Sequence, residues 1–338
     1  MEITFLGTAS GAPSRQRNVS ATAIAPDRGK HWVLVDCGEA TQHQLLRTAL
    51  SPQKISAVLI THIHGDHCYG LPGLLASCQL NGRKDPLVLV GPEGVWEYLQ
   101  AVIRFTELQI NYPLEFIPVS ENLCIEQAGM RITAHSLSHR VPSWAYRMEE
   151  IDIPRRLDVE KLQAEGVPSG PHYAQLQQGV DVYYPAVAEQ EVESDTEQAT
   201  PRLLKSDDYA YPSWQARAVV VGGDNDSPEL LTEACQGTNL LIHESTYTQD
   251  VLEHVGPEPQ HSSAEQVARF AQQAGLDNLI LTHFSPRYLN HPSKKRDRGI
   301  AEIRQEAQEH YRGTLFLAND FDQYCLDRKG TLSLIRVP

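Results

Sequence analysis

A cluster of three histidines and one aspartate constrains this chain more than any other feature. It follows the apolar run at 55–60, which is typical of a buried strand, and reads Thr61-His62-Ile63-His64-Gly65-Asp66-His67. His62 and His64 are two residues apart, so in extended backbone their side chains point the same way. Gly65 allows the chain to turn, so we expect Asp66 and His67 to face another direction. This pattern predicts two ligand pairs, enough for two neighbouring metal ions.

The donor atoms of this cluster indicate which metal it prefers. Imidazole nitrogens with a single carboxylate and no thiolate suit zinc, with manganese, cobalt or iron as competitors. The alternative is a polar loop whose histidines only cap a strand end. The density and spacing of the four side chains favour the metal site.

Length and hydropathy define the class of protein. The chain has 338 residues, 41% of them hydrophobic, and can bury a substantial core as one large or two modest domains. No apolar run approaches the roughly 18 residues of a membrane span. The first seven residues are typical of a strand and lack the layout of a signal peptide. We therefore expect a soluble, cytoplasmic protein that does not contact a membrane.

Cysteines and charge exclude further classes. The six cysteines are scattered and form no CxxC pair, so we expect free thiols, with neither a disulfide framework nor a thiolate zinc site. The net charge of −14 argues against a general polyanion binder. Any contact with nucleic acid must therefore come from local basic patches.

Strands and helices alternate along most of the chain. The apolar patterns predict helices at 39–50 and 94–105 and strands at 1–7, 20–25, 31–35, 86–90, 113–118 and 131–135. Such alternation is typical of an α/β layered fold.

Three later strands and one earlier strand also end on a metal-ligating or acid–base side chain. The segments at 132–138, 216–221, 239–242 and 278–282 are followed closely by His139, Asp224, Glu244 and His283. A single histidine at a strand end is more often a hydrogen-bonded structural residue. Because strand ends on the same rim converge in space, the repetition predicts one shared site.

The motifs of the chain resemble those of a known family. The run at 62–67 matches the HxHxDH motif of the metallo-β-lactamase superfamily, whose fold is an αββα sandwich. Within it, the chain resembles ribonuclease Z, the tRNA 3′-end processing endonuclease family, over nearly its whole length. The motifs that carry this resemblance include Pro13-Ser14-Arg15-Gln16-Arg17-Asn18, Asp36-Cys37-Gly38-Glu39, Gly70-Leu71-Pro72-Gly73-Leu74-Leu75, His243-Glu244-Ser245-Thr246, His261-Ser262-Ser263 and Thr282-His283-Phe284-Ser285.

The resemblance implies two zinc ions per subunit and a role for each site residue. The ligands implied for one zinc are His62, His64 and His139. Those for the other are Asp66, His67 and His283, with Asp224 bridging. Asp66 is also the implied proton acceptor of the attacking water. We expect His261 to protonate the leaving 3′-oxygen and Glu244 to orient it; the alternative is that these two residues form only a buried hydrogen-bonded pair.

The resemblance also implies how RNA is held. It implies a single metallo-β-lactamase domain over 1–338, with a protruding tRNA-binding arm inserted at about 145–180. Residues 181–210 carry many acids, and we expect an exposed, partly disordered loop there. Arg15 and Arg17 are candidate RNA-binding residues, and a second basic stretch spans 287–298. The sequence departs from the family at Asn225, where Thr is usual, and at Gln177, where Lys is usual.

The implied function is that of a zinc-dependent endoribonuclease, a hydrolase. It removes the 3′ trailer from precursor tRNA and leaves a 3′-hydroxyl on the tRNA and a 5′-phosphate on the trailer. The resemblance further implies a homodimer. A small-molecule hydrolase of the same fold, acting on a cyclic nucleotide, thioester or lactone, is the alternative enzyme. A non-catalytic RNA-binding or metal-storing protein would leave Asp66, Glu244 and His261 without a role, and His64 disfavours a redox-iron site.

Overall fold

A computed structural model describes residues 1–185, 201–292, 294 and 296–336 of the chain. The chain divides into two compact units. The larger unit comprises Met1–Ile151 and Arg217–Pro338, and the smaller one comprises Asp152–Ala216.

Two large sheets form the larger unit. The first has eight strands, in the spatial order Leu332–Arg336, Gln323–Leu326, Glu2–Gly7, Ala21–Ala25, Trp32–Val35, Ile55–Leu59, Leu87–Gly91 and Leu114–Pro118. The second has seven, in the order Thr314–Leu317, Asn278–Thr282, Leu240–Glu244, Ala218–Gly222, Ser143–Glu150, Met130–Leu137 and Cys124–Gln127. A short two-stranded pair joins Tyr288–Leu289 to Arg298–Gly299.

Period-two alternation explains why the sheets stack. In the strand Trp32–Val35, Val33 and Val35 enter a core shared by both sheets, whereas Trp32 and Leu34 enter a separate core beneath helices. Successive side chains of a strand point to opposite faces, so strands that are apolar throughout must be covered on both sides. Val219 and Val220 divide in the same way in the second sheet.

Helices cover the outer face of each sheet. Those on the first sheet are Thr41–Leu45, Leu71–Leu80 and Glu93–Thr106, and those on the second are Gln249–Val255, Ala264–Gln273 and Ile300–His310. Shorter helical turns occur at Pro52–Lys54, Gly65–Cys68 and Pro228–Leu231. This is an αββα sandwich, so the expected fold is confirmed.

The smaller unit has its own core. It contains two short strand pairs, Arg155–Leu157 with Ala210–Pro212 and Val182–Tyr184 with Arg202–Leu204. Its helices are Val159–Ala164, Pro171–Gln177 and Ser206–Tyr209. The buried apolar side chains are Leu162, Val167, Leu176, Val182, Leu204 and Tyr209. These few residues are enough to order a segment in which the sequence shows no apolar period.

The boundaries of the inserted segment differ from those in the sequence analysis. Residues 145–150, placed in the arm, belong to the strand Ser143–Glu150 of the second sheet. Strand and helix residues also occur within 181–210, which was expected to be a loop; residues 186–200 of that range lie outside the described residues. Pairing between Ser143–Glu150 and Ala218–Gly222 brings the ends of the smaller unit's sequence together, since the Glu150 amide donates to the Arg217 carbonyl at 3.0 Å.

Two simpler expectations concern the thiols and the membrane. All six cysteines are free, as expected from their spacing. Within the described parts of the chain, no helix combines the length and apolar character needed to cross a bilayer.

Candidate metal centre

The predicted site residues lie where strands of the two sheets end. His62 and His64 follow the strand Ile55–Leu59 of the first sheet, and His139 follows Met130–Leu137 of the second. Asp224 and His283 follow two strands that run parallel to the same neighbour, so their carboxyl ends meet at one edge. The structure therefore brings distant parts of the sequence to one rim, as the repeated strand-end pattern predicted.

The donor atoms converge into two groups. We call His62, His64 and His139 the first ligand group, and Asp66, His67 and His283 the second. Within the first group together with Asp224, and within the second, the potential ligand atoms all lie within 4.8 Å of one another. This partition is the one implied by the family resemblance.

Asp224 faces both groups with different oxygens. Its Oδ2 lies 3.6 Å from His62 Nε2 and 3.8 Å from His139 Nε2. Its Oδ1 lies 3.4 Å from His67 Nε2 and 3.3 Å from His283 Nε2. A carboxylate with one oxygen toward each group has the geometry of a bridging ligand.

Hydrogen bonds set the tautomers in the first ligand group. His139 donates from Nδ1 to the Gln260 carbonyl at 2.8 Å, which leaves the Nε2 lone pair facing His64 Nδ1 at 3.1 Å. The Thr61 hydroxyl donates to Asp36, so it accepts from His62 Nδ1 at 3.0 Å. His62 Nε2 is buried and has no hydrogen-bond partner among the described residues.

The second ligand group is arranged in the same way. His67 donates from Nδ1 to Asp36 Oδ2 at 2.7 Å, so its Nε2 lone pair faces His283 Nε2 at 3.2 Å. The Thr246 hydroxyl donates to Glu244 and therefore accepts from His283 Nδ1 at 3.1 Å. Imidazole nitrogens that approach this closely share either a proton or a bound cation, and the outer nitrogens of His62, His139, His67 and His283 all face hydrogen-bond acceptors, as those of metal-ligating histidines do. The residues present therefore fit a pair of bound metal ions.

The carboxylates of the centre attract positive charge. Burial opposes the charged form of His67, but Asp224, Asp36 and Asp66 raise its pKa well above the ordinary value. Burial opposes ionisation of Asp66, but His67 and His283 hold its pKa well below the usual range. Burial lowers the pKa of His62 well below its ordinary value, so it is neutral, as a ligand must be. Burial, with the charges of His139 and Arg140, also lowers the pKa of His64.

His261 lies between the two ligand groups. Its ring centroid is 5.2 Å from that of His139 and 5.6 Å from that of His283. Its Nδ1 donates to Glu244 Oε1 at 2.9 Å. Burial opposes the charged form, but Glu244 raises the pKa of His261 to about 9. The possible ligand atoms of His261, Asp224 and His283 also lie within 4.8 Å of one another. However, the Nδ1 of His261 already donates to Glu244.

The local backbone supports close packing of these loops. Gly65, expected to let the chain turn, begins the helix Gly65–Cys68, and a Cβ there would lie 2.1 Å from the Tyr69 ring. His283, Asp36 and Gln260 are held at positive φ, 57°, 60° and 51°. Residues other than glycine rarely adopt a positive φ, and those that do are concentrated at functional sites.

Four supporting groups were not assigned roles from sequence: Asp36, Thr61, Thr246 and the Gln260 carbonyl. Asp36 follows the strand Trp32–Val35, so the strand-end pattern that identified Asp224 also applied to it. The two threonines lie beside ligands but have no distinctive spacing. A main-chain carbonyl carries no sequence signal at all.

The basic candidates have different environments. Arg15 is exposed. Arg17 is only 5% exposed, and its guanidinium donates to Thr8, Asn290, Asn319 and the Ala318 carbonyl. Its Nη donors are therefore committed within the fold, and the RNA-binding role predicted for Arg17 is not supported.

The basic residues that follow His283 also differ in their environments. Arg298 is bound to Asp250, with a further ion pair to Glu302, so it is already neutralised. Arg287 lies over the Tyr247 ring at 5.0 Å, and Tyr247 in turn lies beside His261. Lys295 lies outside the described residues. Arg287 thus lies next to the centre.

Comparison with known proteins agrees with the fold. Residues 1–145 match the family model of the anti-Pycsar protein Apyc1. Ribonuclease Z of Marinobacter nauticus is 48% identical over 329 residues, covering 97% of each chain. Human tRNase Z, short form, superposes with a TM-score of 0.62 at 23% identity, covering 96% of this chain and 98% of that one.

A metallo-β-lactamase fold protein from Bacillus subtilis also superposes with a TM-score of 0.62, at 17% identity, covering 95% of this chain and 98% of that one. At such identities these two structures support the fold alone. The near full-length identity of 48% to a curated relative shows more than the fold. This chain belongs to the ribonuclease Z family.

Proposed function

We propose that this protein is a metal-dependent endoribonuclease that removes the 3′ trailer from precursor tRNA. It leaves a 3′-hydroxyl on the tRNA and a 5′-phosphate on the trailer. The observation that carries the proposal is the pairing of two ligand groups, which share Asp224, with a His261–Glu244 acid pair between them. Membership of the ribonuclease Z family supports the choice of substrate.

The metal we propose is zinc, with two ions per subunit. The donor set is imidazole and carboxylate without thiolate, which suits zinc. Two such ions would polarise a phosphodiester and activate water. Elemental analysis of the purified protein would give both the metal and its stoichiometry.

Two side chains of the protein transfer the protons of the reaction. Asp66 accepts the proton of the attacking water; the Gly11 amide donates to its Oδ2 at 2.7 Å and orients it. His261 donates a proton to the leaving 3′-oxygen, for which the charged form maintained by Glu244 is suited. The two side chains thus divide general base and general acid between them.

Several groups are suited to a long polyanionic substrate. Arg15 is exposed on the loop after the first strand, and Arg287 lies near the centre. A guanidinium can bind phosphate through two parallel hydrogen bonds. We propose that the smaller unit, Asp152–Ala216, which contains most of the arm expected at 145–180, also contacts tRNA.

The protein is further proposed to be a homodimer that acts in the cytoplasm. Three apolar side chains are strongly exposed on or directly after the helices that cover the first sheet: Leu46, Leu80 and Phe105, at 80%, 86% and 74%. We propose that they contribute to one apolar patch that a second copy covers. Sedimentation of the wild type and of Leu80→Glu would test the dimer.

One assay tests the function. The purified protein is incubated with a 3′-extended tRNA, a CCA-ending tRNA and bis-p-nitrophenyl phosphate. Cleavage of the extended tRNA at the discriminator, with a 3′-hydroxyl on the product, is expected. Hydrolysis of the small diester alone would favour the small-molecule hydrolase instead.

A deletion tests the smaller unit. Because Glu150 and Arg217 are hydrogen-bonded neighbours, Asp152–Ala216 can be replaced by a short glycine–serine linker without opening the second sheet. The variant should cleave precursor tRNA poorly and still hydrolyse the small diester, since a small substrate does not need a distant contact. Equal loss on both substrates would mean that the unit supports the fold.

A further inference from the structure

Asn225 is a fully buried residue that joins the loops of the centre. It follows Asp224 directly and has an exposed fraction of 0%. Its side-chain Oδ1 accepts from the backbone amides of Ser138 and Ser227, each at 3.2 Å. Ser138 precedes His139, so this bond attaches the loop of one ligand to the loop of another.

These two bonds determine the orientation of the Asn225 amide. An oxygen that accepts from two backbone amides leaves the NH₂ group on the other side. That group lies 3.2 Å from His243 Nε2, to which it donates. Asn225 is therefore bonded at both ends of its side chain.

The tautomer of His243 follows from the same contacts. Its Nε2 must carry a lone pair to accept from Asn225, so the proton is on Nδ1. Nδ1 lies 2.8 Å from the Glu244 carbonyl, an acceptor. Each group in this chain of bonds has the partner that it needs, and His243 is buried at 0% exposure.

The backbone of Asn225 holds the acid pair. Its amide donates to Glu244 Oε1 at 2.9 Å, the oxygen that also accepts from His261. Its carbonyl accepts from the hydroxyl of Ser262, the residue after His261, at 2.5 Å. Any rotation of Asn225 would shift both members of the pair.

We propose that Asn225 and His243 are positioning residues that hold the Glu244–His261 acid pair in place through the Asn225 amide bond to His243 Nε2. The proposal rests on the proposed function, in which His261 protonates the leaving oxygen. Neither residue touches the substrate. Substitution of Asn225 or His243 should therefore lower turnover of a substrate with a poor leaving group more than it lowers metal binding.

The test uses a carboxylate swap and its rescue. Asn225→Asp keeps the oxygen that accepts from Ser138 and Ser227, but replaces the NH₂ donor by a second carboxylate oxygen, which His243 Nε2 can bind only by taking up a proton that its burial opposes. Turnover of precursor tRNA should fall by about 10- to 100-fold, with zinc content and KM retained. Hydrolysis of bis-p-nitrophenyl phosphate should change by less than about threefold, because p-nitrophenolate leaves without a proton.

The double variant Asn225→Asp with His243→Gln separates hydrogen bonding from charge. The glutamine amide can turn its NH₂ toward the carboxylate, so tRNA turnover should recover to within about threefold of wild type. The negative charge remains in the double variant. Failure to recover, with the protein folded, would overturn the proposal.

A second pair of variants decides the matter if Asn225→Asp does not fold. His243→Gln keeps an acceptor for the Asn225 amide and should retain turnover, whereas His243→Leu removes it and should lose about 10-fold or more. Equal turnover in these two variants would overturn the proposal, as would zinc loss in His243→Leu that matches its loss of activity. Wild-type cleavage of precursor tRNA is measured alongside, so failure of the proposed function is recognised separately.

Discussion

The two ligand groups of the centre are alike in composition. They differ in which groups accept a hydrogen bond from the Nδ1 atoms of their histidines. In the first group, His139 donates to a main-chain carbonyl, that of Gln260, and His62 donates to the Thr61 hydroxyl. In the second, His67 donates to the Asp36 carboxylate and His283 to the Thr246 hydroxyl. One histidine of the first group thus depends on the backbone of a loop, whereas His67 and His283 of the second depend on side chains.

This difference has chemical consequences. A carboxylate behind a ligating histidine raises its basicity and fixes its orientation, which a neutral carbonyl does less strongly. The second ligand group should therefore be sensitive to side-chain substitution around it. The first ligand group should tolerate side-chain substitutions that leave the backbone of the loop at 256–263 unchanged.

The largest effect is expected from removing a ligand. His64→Ala removes one imidazole of the first ligand group, so metal content should fall and cleavage should collapse by more than about 100-fold, the upper range for a supporting residue. Elemental analysis and tRNA cleavage would be measured together. Full metal content with full activity would contradict the assignment of His64 as a ligand.

The next largest effect should come from the acid that lies between the groups. His261→Ala should leave both metals in place and lower tRNA turnover by roughly 10²–10⁴-fold. The loss should shrink for bis-p-nitrophenyl phosphate, whose leaving group needs no proton. Zinc loss in this variant, or equal slowing of both substrates, would make His261 a ligand or a structural residue.

Asp36→Asn tests the comparison, because Asp36 accepts from His67 directly and reaches His62 of the first group only through the Thr61 hydroxyl. It keeps the shape but removes the carboxylate behind His67, so metal affinity or activity should fall by about 10- to 100-fold. The matched control is Gln260→Ala, which leaves the carbonyl that holds His139 and should change activity by less than about twofold. Chelator titration of both variants gives the measurement; equal losses would show that the two groups are held alike.

The smallest effect is a shift in pH dependence. The carboxylate of Glu244 raises the pKa of His261 to about 9, above its ordinary value of about 6.5. An acid with a raised pKa is protonated below that pKa and loses its proton as the pH rises through it. Glu244→Gln should therefore move the alkaline limb of the turnover profile to lower pH. An unmoved limb would mean that another group limits activity there.

Local sequence pattern predicted the elements that are long and apolar. The strand at 55–59 and the helix Glu93–Thr106 lie where their periodicity placed them. The helix expected at 39–50 is only Thr41–Leu45, and it begins late because Ala40 adopts a positive φ of 61°. Most of the strand Ser143–Glu150 was assigned to the arm. Its charged residues Arg147 and Glu149 alternate with buried ones, and from the sequence alone this pattern resembles an exposed segment.

The sequence by itself determined which side chains could bind metal and that they stand at strand ends, because both depend on residue type and local period. Only the tertiary structure decided which oxygen of Asp224 faces which group, that Asp36 and a carbonyl of Gln260 set the tautomers, and that Arg17 is buried. These facts depend on contacts between residues far apart in the chain. Such contacts form only when the two sheets pack, and no local pattern encodes them.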